Sequence, residues 1–194
     1  MPEVPRTSTP LTVETAASEL LAALRRAGID PNGDQARLLL AQLWLETARG
    51  SACNNHNPGN LTAGNTADFF RPQWYELTPD SSPRMVTLHA AMLAGQAPSA
   101  FAAYATFEQG FDDYVRQIKT KFPTILEAAR TGDAEAMGAA IRTSGYAPDA
   151  GGTTGQNLAS LAREFKTRKV FDDLPLAPAV APPVVEASPA SSFC

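Results

Sequence analysis

The sequence predicts a mainly α-helical domain with one small, irregular, strand-containing lobe inserted between helices. Three observations carry this expectation. Apolar residues recur at helical spacing before residue 50 and again after residue 106. Most of those runs are bounded by a capping residue, a Gly or a Pro. Between them, residues 51–105 are rich in Asn, Gly, Pro, Thr and aromatics and hold no helical period for long.

Residues 1–10 are polar and Pro-rich and read as a flexible arm. Thr12 can N-cap a first helix with the apolar stripe Val13, Ala16, Ala17, Leu20, Leu21 and Leu24, and Gly28 stands just past its end. Asp30-Pro31 is a second start signal, with Pro expected at the first helical position. The run that follows, 36–48, is apolar nearly all round through Leu38, Leu39, Leu40, Leu43, Trp44 and Leu45, so it should lie buried at the centre. In the lobe a short helical piece is expected near 88–93 and a strand around 101–106. Thr106 and Gln109 then form a capping-box pattern ahead of Phe111, Tyr114, Val115 and Ile118. Shorter helices are expected at 124–130, 134–143 and 154–168, separated by Gly132, Gly145 and the Gly151-Gly152 loop. Residues 11–172 thus form one domain, and 173–194 form a Pro/Ala-rich tail that resists helix and sheet.

Composition removes several classes of function. A net charge of −4 and a pI near 5.2, with scattered basic residues, leave no electrostatic footprint for nucleic acid. No apolar run is long enough for membrane insertion. Cys53, Cys194, His56 and His89 do not have the spacing of a zinc site, a structural disulfide to the tail is not expected, and no cofactor motif is present. The N-terminus has no apolar core of a secretory signal.

The residue that best fits chemistry is Glu46, the only carboxylate between Asp34 and Asp68, placed at the end of the most apolar helix. Apolar surroundings and the negative end of a helix dipole both disfavour its charged form, which suits a proton donor. Gly50 then stops the helix, and the loop Asn54-Asn55-His56-Asn57-Pro58-Gly59-Asn60-Leu61 follows. Its amides, Asn55, Asn57 and Asn60 above all, can bond their own backbone or the hydroxyls and acetamides of a sugar. Taken alone, Glu46 could be a solvated surface residue and the loop an elaborate turn; their direct succession argues for a site. Glu108 falls in the first turn of a helix, where an acid complements the dipole, and reads as structural.

These residues carry a resemblance. Leu45-Glu46-Thr47-Ala48-Arg49-Gly50 followed by Asn55-His56-Asn57-Pro58-Gly59-Asn60-Leu61 resembles the catalytic stretch of glucosaminidases of glycoside hydrolase family 73, whose helix ends Glu-Ser/Thr-Gly-Trp-Gly before Asn-Asn-Leu-Phe-Gly-Ile. The segment from Phe101 through Tyr104, Thr106 and Asp113 to Tyr114 resembles a later family segment, and Gly145-Tyr146-Ala147-Pro148-Asp149 resembles its Gly-Tyr-Ala-Thr-Asp turn. Four segments in the family's order span about residues 35–165.

The resemblance implies a lysozyme-like helical fold and hydrolysis of the β-1,4 glycan backbone of peptidoglycan, with glycan strands as partner and no cofactor. Glu46 matches the general acid, and Tyr146 matches a tyrosine near the sugar acetamide. A second carboxylate is expected for two-carboxylate hydrolysis. Glu76 is preferred over Asp68 and Asp80, because Trp74 and Tyr75 beside it suit a sugar-stacking cleft. Failing such a partner, the substrate's own N-acetyl group could attack, oriented by Tyr146. Ala48-Arg49 and Asn57-Pro58-Gly59-Asn60 depart from the family pattern and leave the bond cleaved open between N-acetylglucosaminidase, muramidase and lytic transglycosylase. A reading of another class is a virion or assembly component that keeps the fold to bind peptidoglycan with little turnover. With no signal peptide, the expectation is a phage-encoded chain held in the virion or host cytoplasm before reaching the periplasm and cell wall, its tail free to meet other virion proteins.

Overall fold

The computed structural model describes residues 2–63, 68–73, 75–95, 98–146 and 152–176. Helix α1 (Val13–Arg26) is capped by Thr12, whose hydroxyl accepts from the Thr15 amide. Helix α2 (Gly33–Glu46) begins later than Asp30-Pro31 suggests. Asn32 is its cap, and a tertiary bond explains the choice: Asn32 Oδ1 accepts from Gln35 N (2.8 Å) while Nδ2 donates to Arg130 O (3.1 Å).

The lobe contains strand β1 (Asp68–Phe70), helix α3 (Pro83–Leu93) and strand β2 (Phe101–Ala103). The α3 helix starts five residues ahead of the expected piece, because Ser82 caps it and Pro83 opens it. The two strands pair antiparallel with Phe69 opposite Ala102. The β2 strand is shorter than expected, since Thr106 already caps α4 (Phe107–Lys121). Gln109 completes only a variant of the capping box, accepting from Ala105 N (3.0 Å) rather than from the cap's own amide. Three further helices follow, α5 (Pro123–Arg130), α6 (Ala134–Ser144) and α7 (Thr154–Thr167).

The buried centre is α2, as its apolar surface requires. It packs against α1, α5 and α7, while α1 also packs on α4 and α6 on α7. Leu38, Leu39, Leu40 and Leu43 are almost wholly enclosed, and Trp44 meets Phe165 of α7 edge-on at 6.2 Å. Each such leucine contributes about 1.5–3 kcal/mol of hydrophobic free energy. A second, smaller cluster of Phe70, Phe101 and Ala103 holds the lobe, with Val4 against it.

The N-terminal segment read as an arm lies along the lobe. Val4 N donates to Phe69 O (2.8 Å), Thr9 N to Cys53 O (3.0 Å) and Leu11 N to Gly50 O (3.1 Å). Residues 2–11 therefore run as a strap from β1 to the end of α2. Among the described residues no helix is long and apolar enough to cross a membrane.

Candidate active site

The C-terminal end of α2 is locked from inside. Thr47, fully buried, donates through Oγ1 to Leu43 O (2.8 Å) and accepts from Gly50 N (3.1 Å), which fastens the helix end to the turn beyond it. The turn is left-handed at three successive residues, Ala48 (φ 46°), Arg49 (φ 60°) and Gly50 (φ 85°). Gly50 has no alternative, because a Cβ there would stand 2.0 Å from Leu11 O. This reversal leaves Glu46 at the helix edge with the loop folded back beside it.

Two of the loop amides expected to bond sugar instead build the loop, and that expectation is corrected. Asn57 is fully enclosed. Its Nδ2 donates to Leu61 O and Ala102 O, both at 2.9 Å, and its Oδ1 accepts from Leu61 N at 2.9 Å. Asn55, also buried, accepts from Thr7 N (2.8 Å) and donates to Pro5 O (3.0 Å), so its amide is spent on the N-terminal strap. The reason is that a loop pressed against the protein must satisfy its own peptide groups, and these side chains are the partners within reach. His56 likewise faces inward, its Nδ1 at 3.1 Å from Tyr104 O and its ring edge-on to Phe107.

Asn60 is different. Its Nδ2 donates to the Glu46 carbonyl at 2.5 Å, which sets the amide beside that residue. Beneath the loop, α4 provides the floor. A Cβ on Gly110 would meet His56 O at 2.0 Å, and Gly59 lies against the Tyr114 ring.

Burial raises the Glu46 pKa to about 7, the Asn60 bond working weakly against it. Two tyrosines share this pocket of low polarity. Tyr146 donates to Gly59 O (3.2 Å) and stacks edge-on against Phe122, while Tyr114, completely enclosed, donates to Gln42 Oε1 (2.9 Å). Burial holds both phenols far above their ordinary range, aided at Tyr114 by charge at Glu46 and at Tyr146 by Tyr114 and then Glu46. The structure therefore brings together Glu46, Asn60 and Tyr146, and adds Gln42 and Tyr114. The sequence singled out neither as a site residue: Gln42 was passed over, and Tyr114 stood only in the apolar stripe of α4. The available signal was that Gln42 is the one polar residue in the run 38–45 and precedes Glu46 by four residues, on the same helical face.

The other expected residues lie on the lobe. Glu76 is exposed in a bend, and Tyr75 is covered by the Arg71 guanidinium, 4.3 Å above its ring. Trp74 lies outside the described residues. Asp68 and Asp80 are exposed. Burial raises the Glu46 pKa and Asn60 lowers it. A separate cavity of about 550 Å³ between β2 and α4 is lined by Asp68, Tyr104, Gln109, Asp113 and Arg116 among others. There Asp113 accepts from the Tyr104 hydroxyl and pairs with Arg116. Among the described residues no group of His, Cys, Asp and Glu is placed to hold a metal ion. Glu108 is exposed and faces Arg26 at 3.9 Å.

Among solved structures, the chain is similar to a peptidoglycan hydrolase from Sphingomonas sp. A1, at 21% identity over 83% of this chain and 90% of that one, with a TM-score of 0.53. A mutant of that hydrolase aligns at 23% identity, covering 82% and 96% of the two chains, with a TM-score of 0.55. The glycoside hydrolase domain of Salmonella typhimurium FlgJ aligns at 16% identity over 82% and 91%, with a TM-score of 0.51. No protein-family model and no curated protein matches the sequence. The chain thus has the lysozyme-like helical fold of these hydrolases, as the glucosaminidase resemblance implied.

Proposed function

We propose that this protein hydrolyses the β-1,4 glycan backbone of peptidoglycan, acting as an N-acetylglucosaminidase with Glu46 as general acid. The observation that carries the reading is a carboxyl at the edge of a buried helix, with its pKa raised to about 7, in the fold shared with the peptidoglycan hydrolases above. Such a group is substantially protonated near neutrality and still able to release its proton, which is what a leaving glycosidic oxygen requires.

Glu46 protonates that oxygen as the bond to the anomeric carbon breaks, and water adds at the carbon with loss of its own proton. Asn60 ties the loop to the end of α2 through the Glu46 carbonyl, and Tyr146, fixed to Gly59, takes the role of orienting the sugar acetamide. The attack comes from water, with Glu76 as base, or from the substrate's own N-acetyl group.

The test is digestion of purified peptidoglycan by wild type and by Glu46→Gln, followed by reduction and mass spectrometry of the fragments. Reduced N-acetylglucosamine ends, lost in a folded variant, support the proposal. Reduced muramic ends reassign the bond, and anhydro ends reassign the reaction to lytic transglycosylation. No fragments from either protein would leave peptidoglycan binding without turnover.

A further inference from the structure

Gln42 is an anomaly in an otherwise satisfied core. It is 2% exposed, its Oε1 accepts from the Tyr114 hydroxyl at 2.9 Å, and its Nε2 is a buried donor with no hydrogen-bond partner among the described residues. A buried amide left half-bonded is costly, and accepting the Tyr114 hydroxyl uses only its oxygen. Retention of an amide here calls for an acceptor that is present in another state of the site.

The helix supplies one. Gln42 and Glu46 are four residues apart on α2, a spacing that sets side chains as neighbours on one helical face. In the resting site Glu46 has Asn60 as its side-chain partner. Once Glu46 gives up its proton, it becomes a carboxylate in poor solvent and needs donors that the neutral acid does not. We propose that Gln42 is a positioning residue for Glu46, its amide anchored by Tyr114 so that the free Nε2–H donates to the Glu46 carboxylate formed on proton transfer.

A donor engaged only in the charged state stabilises the transition state more than the ground state. Among the described residues the titratable groups coupled to Glu46 are Tyr114 from α4 and Tyr146 beyond α6, and neither phenol ionises near neutrality. The charged pair at this end of α2, Arg49 with Glu164 of α7, lies at the surface. Removal of Gln42 touches Tyr114, whose hydroxyl it accepts, and Glu46, and of the two only Glu46 titrates near neutrality.

The inference rests on Glu46 as general acid, but its test does not depend on cleavage. The Glu46 carboxyl is titrated by carbon-13 NMR in wild type, Gln42→Met and Tyr114→Phe, alongside peptidoglycan cleavage against pH. Loss of a hydrogen bond to a charged group should raise the Glu46 midpoint in Gln42→Met by about one pH unit and lower kcat about tenfold with KM little changed. The alkaline limb of the cleavage profile should move upward with it. Tyr114→Phe, which loosens the amide and keeps the ring, should shift the midpoint in the same direction by less. A folded Gln42→Met whose Glu46 titrates as in wild type overturns the inference. Should that variant not fold, an unchanged midpoint in Tyr114→Phe overturns it instead. A shifted midpoint in a protein that cuts no peptidoglycan would uphold the role of Gln42 and remove the glycosidase reading.

Discussion

Glu46→Gln should abolish cleavage and, at alkaline pH, make the protein more stable. In the folded chain the carboxyl titrates at about 7, against an ordinary value of 4.5, because burial penalises its charge. The folded state therefore binds the Glu46 proton more tightly than the unfolded state does. Stability must then fall as pH rises from about 4.5 to about 7, and the loss is complete above the folded pKa. The interval of about 2.5 pH units, at ~1.4 kcal/mol each, sets a ceiling of about 3.5 kcal/mol. Glutamine carries no charge at any pH and escapes this penalty. Urea unfolding of both proteins at a series of pH values from 4 to 8.5 would measure the difference. It should be constant below pH 4.5 and then grow in favour of the variant by about 2–3 kcal/mol by pH 8. A difference that stays flat across that range would refute the burial argument. The same ionisation sets the wild-type activity profile, with kcat/KM falling above about pH 7 as the acid form is lost.

Three further outcomes follow from the loop geometry. Asn57→Ala removes three buried bonds and strands the Leu61 amide, while the Leu61 carbonyl keeps its bond from Ala102 N, so it should cost about 2–3 kcal/mol and depress activity, read by chemical unfolding and digestion. Ala48→Gly should stabilise by about 0.5–1 kcal/mol, because Ala48 is held left-handed at φ 46° where glycine meets no Cβ penalty, and a rise in Tm would show it. Gly110→Ala drives a Cβ toward the His56 carbonyl, 2.0 Å away, and should displace the loop at a cost above about 2 kcal/mol, with the Glu46 midpoint shifting as Asn60 moves.

Local chemistry was enough for most of the helices. Thr12, Thr106 and the left-handed Gly145 mark ends through bonds made within a few residues, so their signals survive in the linear chain. Glu46 was legible for the same reason, since an apolar helix and a Gly stop suffice to bury a carboxyl at an edge. The pairing of β1 with β2 was not, because it joins residues about thirty positions apart. Nor was the use of the Asn-rich loop. Its composition is equally suited to a sugar or to its own backbone, and the packing of the loop on Gly110 and under the N-terminal strap turns Asn55 and Asn57 inward while leaving Asn60 beside Glu46. Composition along the chain thus determined a buried acid on a helical domain. Which amides serve that acid, and that Gln42 and Tyr114 stand behind it, was decided by tertiary packing, because a buried polar group takes whatever partner the fold brings within reach.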